Sequence, residues 1–147
     1  MEKRININNV DPKAFKAMYA LESYLTQSEI PKTIKELIKI RASQINKCAF
    51  CIDMHTKEAI KEGETNQRIF LLNAWHEAEG MFTKEEKAAL ALTEEMTLIS
   101  QKGLTDETYQ NALECFSETL LTQIMMLIVT INAWNRIAIS TQLEVAK

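Results

Sequence analysis

The run Cys48-Ala49-Phe50-Cys51-Ile52-Asp53-Met54-His55 puts two thiols and an imidazole close together in the chain. On a helix each residue advances about 100°, so Cys48 and His55, seven apart, face almost the same way, roughly 20° off. Cys51 lies three residues after Cys48 and four before His55, and so neighbours both. Ile52 and Ala59 share that face, which points it into the fold. A helix break is expected at Asn46-Lys47, with Asn46 as the left-handed stop. Cys48 then falls in a first helical turn, where unpaired amide N–H groups stabilise an anion. The thiolate is the form of cysteine that attacks. Two sulfurs three residues apart can close into a disulfide, and an imidazole exchanges protons near neutral pH. Together these groups suit thiol–disulfide chemistry on an oxidised small molecule.

Two plainer readings stand beside this one. The cysteines could be buried structural thiols, or half of a zinc site. A structural zinc ion usually takes four protein ligands in two separated pairs. The second pair is missing here unless His55, Glu36 or another chain supplies it, so neither a metal nor a cofactor is expected.

The elements that must position these groups read as an all-α single domain of about six to seven helices. Three Gly and two Pro in 147 residues favour long helices over a turn-rich sheet. The first helix is expected over roughly Pro12–Thr26, with Phe15, Met18, Leu21 and Leu25 on one stripe. A second runs over Pro31–Gln44, and a third from near Cys48 to Gly63. The fourth spans Thr65 to about Glu79, and the fifth opens on a capping box at Thr83-Lys84-Glu85-Glu86 and continues towards Gly103. A short helix over Asp106–Phe116 leads through Ser117, a good N-cap, into a final helix of roughly 25 residues.

Composition narrows the function classes. Hydrophobic residues make up 46% and charged residues 25%, a soluble-globular balance, and the net charge of −3 shows no basic patch for nucleic acid. Leu120–Ile139 is the most apolar stretch, yet its Thr122, Gln123, Thr130, Asn132, Asn135 and Arg136 suit a buried helix better than a membrane span. No secretory signal is apparent, and three cysteines are too few for a secreted disulfide scaffold. A cytoplasmic location is expected.

The wider pattern is Glu36, eleven residues, Cys48-x-x-Cys51, three residues, His55. With Ser43-Gln44-Ile45-Asn46-Lys47 ahead of the cysteines, it resembles the signature of the AhpD-like proteins of the carboxymuconolactone decarboxylase superfamily. The likeness continues through Gly63-Glu64-Thr65, Leu71–Glu77, Phe82–Leu98 and Ile131–Arg136. The resemblance implies an all-helical fold around a helical hairpin, assembled as trimers or hexamers. It also implies reduction of alkyl hydroperoxides through the cysteine pair, with Glu36 and His55 as a proton relay. It suggests Cys51 as the sulfur that meets the peroxide, whereas the helix-terminus argument favours Cys48 as the more acidic thiol. Well-studied members carry a further His between the cysteines, where this chain has Phe50.

The expected catalytic set is therefore Cys48, Cys51, His55 and Glu36. The expected partners are a small hydroperoxide, an external dithiol or thiol-reductase protein, and further copies of the chain, with neither nucleic acid nor membrane. Without the resemblance, Glu36 reads as a helix cap or solvated residue, since Thr33-Ile34-Lys35-Glu36 also fits a capping box. A redox sensor or metal-binding module is the alternative. So is a cysteine-independent decarboxylase or isomerase using His55, His76 or Glu36. Cys115 reads as an inert small hydrophobe, and Arg136 as a charge that meets a carboxylate or an interface.

Overall fold

The helices that start at Pro12, Lys84 and Glu118 do so where a short polar side chain takes up orphan amide groups. Asp11 accepts from the N–H of Lys13 and Ala14 ahead of Pro12, Thr83 and Glu86 close a reciprocal capping box, and Ser117 accepts from Leu120 N–H. The computed structural model describes residues 4–145. In chain order its helices are α1 (Ile7–Val10), α2 (Pro12–Thr26), α3 (Lys32–Ile45), α4 (Ala49–Lys61) and α5 (Asn66–Leu71). After a 3₁₀ turn (Leu72–Ala74) come α6 (Lys84–Thr97), α7 (Ile99–Lys102), α8 (Asp106–Cys115) and α9 (Glu118–Thr141).

The all-α class agrees with the sequence reading, but the expected six to seven helices become nine among the described residues. Two local causes account for the difference. The segment ahead of Pro12, for which no helix is expected from the sequence, forms α1 because Asn6 caps it, accepting from Asn9 N–H at 3.1 Å. The fifth expected helix divides at Leu98, whose backbone (φ −99°, ψ 34°) leaves the helical range and separates α6 from α7. The fourth is also shorter than expected. It passes into the 3₁₀ turn and then a chain of turns, anchored where the Trp75 indole donates to Glu94 Oε1 on α6 at 2.7 Å.

Helix α3 is the hub, packing on α4, α6 and α9. Its Ile34 and Ile38 join Ala89 and Leu92 of α6 and Ile124, Leu127 and Ile128 of α9 in one buried cluster. Its Leu37 and Ile40 join Ala59 of α4, Leu72, Trp75 and Leu90 in a second. With two apolar faces buried, the polar residues of α3 are confined to narrow seams, and one of these carries Lys35, Glu36 and Lys39. Helix α9 contains an 18-residue stretch of mean hydropathy 1.3 and is long and apolar enough to cross a membrane by length and composition alone. Its Leu121, Ile124, Leu127, Ile128 and Ile131 are buried in the core, while Val129 and Ile139 are exposed.

Candidate active site

Between α3 and α4 the chain reverses in three residues, and a polar network fixes the reversal. Asn46 donates to Asn132 Oδ1 and Asn135 Oδ1 of α9, both at 2.9 Å, and the fully buried Asn135 donates to Ser43 Oγ at 3.0 Å. The left-handed residue is Lys47 (φ 59°), whereas Asn46 keeps right-handed geometry (φ −76°). The expectation of Asn46 as the left-handed stop is thus displaced by one position. Asn46 needs its right-handed backbone to aim its amide at α9, while the exposed Lys47 side chain has no such constraint.

Cys48 follows as the N-cap of α4, one position ahead of the first helical turn expected for it. Its Sγ accepts from Cys51 N–H at 3.4 Å, and the two sulfurs form a disulfide with a Cα–Cα separation of 5.4 Å. Both cysteines are buried, packed with Ala138 of α9 and with Phe50, the residue that stands between them.

One turn along α4, His55 is buried too, at 7% exposure. Its Nδ1 faces two carboxylates, Glu58 Oε2 at 3.0 Å and Glu36 Oε2 at 3.5 Å. The first is a hydrogen bond and the second is an ion-pair distance. Glu36 Oε1 accepts from Lys39 Nζ at 2.9 Å, while its buried Oε2 has no hydrogen-bond partner. Burial alone would push the Glu36 carboxyl up, but His55 and Lys39 outweigh it and hold it below the usual carboxylate range. The donor atoms of Glu36, His55 and Glu58 all lie within 4.8 Å of one another, so this is the group that could hold a cation.

The four residues singled out from the sequence therefore fall on two adjoining helices. Cys48, Cys51 and His55 lie on α4 and at its cap, and Glu36 turns inward from α3 instead of capping it; no side chain caps α3 at Pro31. Sequence reasoning missed Glu58, although its place three residues after His55 on the same helix was a signal. It also missed Lys39 and the Asn46–Asn135–Ser43 network, whose members meet only across helices. His76 lies apart, 61% exposed, stacked on Trp75 and 3.1 Å from Glu94 Oε2. Cys115 is the free cysteine, and burial pushes its thiol up, away from the reactive form. Among the described residues Arg136 meets no carboxylate, and it does not turn into the interior. It is exposed and donates to the carbonyl and side-chain oxygens of Asn132.

Cavities approach this cluster from its edges. A cleft of about 290 Å³ reaches Glu36 past Lys32, Lys35 and Lys39, and a groove of about 660 Å³ runs along α4 over Ile52, Thr56 and Phe70. Neither is lined by a sulfur, because Phe50 and α9 cover the pair.

A helical hairpin presenting a Cys-x-x-Cys beside a buried His and Glu defines the class, and the comparisons agree. The carboxymuconolactone decarboxylase family model matches residues 12–95. The uncharacterized protein YdfG of Bacillus subtilis is 47% identical over 140 residues, 95% of each chain. A crystal structure from Agrobacterium tumefaciens, ATU0492, is 38% identical with a TM-score of 0.95 over 99% of both chains. It is described as a protein of unknown function, provisionally an antioxidant defence protein AhpD. The debrominase Bmp8 shares the fold at 17–18% identity, with a TM-score of 0.80 over 94% of this chain and 73–74% of its own length. The chain belongs to the carboxymuconolactone decarboxylase family, within its AhpD-like group.

Proposed function

We propose that this protein is a thiol-dependent hydroperoxide reductase. The observation that carries the reading is the buried Cys48–Cys51 pair, already at bonding distance, one helical turn from an imidazole flanked by carboxylates. In the reduced state a sulfur of this pair, as thiolate, attacks the terminal oxygen of a hydroperoxide. The O–O bond breaks and the alkoxide leaves as the alcohol, taking a proton that His55 held. The sulfenic acid so formed is attacked by the second sulfur, giving the disulfide and water. An external dithiol then restores both thiols by exchange and becomes a disulfide itself.

Glu36 and His55 serve as the relay. The Glu36 anion, held ionised by Lys39, favours the imidazolium that forms when a thiol gives up its proton. Phe50 takes the place where a second proton carrier stands in related proteins, which leaves His55 as the proton carrier beside the pair. The setting we propose is a reducing cytoplasm with a dithiol or thiol-reductase protein as electron donor.

We also propose a homo-oligomer, because Tyr19, Tyr24, Val129 and Ile139 on α2 and α9 leave apolar surface uncovered. Light scattering on the native protein should give a mass above 16.8 kDa. A mass equal to that of one chain would refute the assembly.

The chemical test is dithiol-dependent turnover of cumene hydroperoxide by the native protein and by Cys48→Ser and Cys51→Ser. Both variants should lose turnover, and the one that retains the attacking sulfur should accumulate a sulfenic acid that dimedone traps. Full turnover in both variants would end the proposal.

A further inference from the structure

His55 Nδ1 has two carboxylate neighbours but at most one proton to share in the neutral ring. The geometry assigns that proton: Glu58, at 3.0 Å, takes the hydrogen bond, and Glu36 Oε2, at 3.5 Å, is left unpartnered. We propose that Glu58 is a positioning residue that fixes His55 as the Nδ1–H tautomer, leaving Nε2 as its basic nitrogen. An ionised carboxylate only accepts hydrogen bonds, so it can hold Nδ1 in no other protonation state. This inference rests on the peroxidase reading for its consequence, since a relay ring must offer a lone pair to a thiol proton. It rests on geometry alone for the tautomer itself.

Two features support an orienting role over a surface ion pair. His55 is buried while the Glu58 side chain is half exposed, so the contact ties a buried ring to a solvated anion on the same helix. The groups facing the ring are Glu36 from α3, with Lys39 behind it, and Glu58 from α4; Cys51 precedes it by one turn. Of these, Glu58 alone makes a hydrogen bond to Nδ1, at 3.0 Å, and Glu36 stands off at 3.5 Å. The ring is thereby oriented in the way that carboxylates orient ligand and catalytic histidines elsewhere.

Glu58→Gln tests the assignment with little change of shape. A carboxamide can present either its oxygen or its NH₂ group to Nδ1, so the lock is lost while the contact remains. The chain has two histidines, which makes ¹⁵N-imidazole spectra readable, and His76→Gln identifies the His55 signals. At a pH where the ¹⁵N shifts themselves report a neutral ring, the native protein should show the Nδ1–H form. In Glu58→Gln the ratio of Nδ1–H to Nε2–H should fall by about tenfold, the scale of one charge-assisted hydrogen bond. The thermal midpoint should stay within about two degrees, as expected for a half-exposed position. A tautomer ratio that Glu58→Gln leaves unchanged, or a native protein in the Nε2–H form, overturns the proposal. Peroxide turnover separates the two readings. If the ratio collapses but the native protein turns over no hydroperoxide, the peroxidase reading fails and the role of Glu58 stands. If native turnover is present and the ratio does not move, the reverse holds. When both are right, Glu58→Gln lowers kcat and leaves the peroxide KM in place.

Discussion

Glu36 shows how a single side chain changes meaning between sequence and structure. In the sequence it fits a helix cap, and only the Cys-x-x-Cys spacing downstream argues otherwise. In the fold it is largely buried, with Lys39 on one oxygen and the imidazole on the other side. Its carboxyl titrates below the usual range, so its ionised form contributes stability. That contribution is complete above the unfolded value near 4.5 and is lost as pH falls through the lower folded value. Replacing it with Gln removes the charge opposite His55 and strands Lys39. Hydroperoxide turnover should fall by about tenfold or more, the usual scale for removing a carboxylate partner of a functional histidine. Steady-state kinetics on folded Glu36→Gln measures this, and unchanged kcat would remove Glu36 from the relay. The thiol–imidazole register was legible because helical period alone sets it. Glu58 obeys the same period and went unread because half-exposed glutamates on helices are commonplace.

Between elements, polar groups do the aligning. The expected caps at Thr83 and Ser117 are present because capping depends on local sequence. The α3–α4 reversal was placed one residue wrong because its geometry is dictated by Asn132 and Asn135, some 90 positions later in the chain. Local propensity cannot see such a bond. The division of α6 from α7 is of the same kind. After the break the chain turns back so that Lys102 pairs with Glu95 at 2.9 Å, and Glu95 also accepts from the N–H of Thr105, the N-cap of α8, at 2.8 Å. Burial works to raise the Glu95 carboxyl, but Lys102 and Thr105 hold it at about 2. A folded value below the unfolded 4.5 means that this staple stabilises fully above about pH 4.5 and fades as pH falls towards 2. Glu95→Gln should therefore cost about 1–3 kcal/mol at neutral pH, with the gap to native closing in acid. Urea midpoints measured across that range check the sign, and a gap independent of pH would contradict it.

At the scale of the whole molecule, the all-helical class and the long apolar terminal helix followed from composition and periodicity. The number of helices did not, since α1 and α7 are single turns that no periodicity reveals. Attachment is also uneven across the fold. Helix α3 is buried on two faces, whereas α2 contributes only Leu25 to the buried core. The rest of α2 leans on α9 through contacts at the surface. Phe15 and Tyr19 meet Trp134 edge to face, and the Trp134 indole donates to Glu22 at 2.8 Å. An arm held by one aromatic corner can detach while the remaining helices keep their packing. Amide deuterium uptake over residues 12–24 should run ahead of uptake over α3 and α9 by about a hundredfold or more, and Trp134→Ala should widen the gap. Since Lys35, next to Glu36, donates to the Leu25 carbonyl at the far end of that arm, each such departure would briefly widen the cleft that already reaches Glu36 and wet the back of the relay.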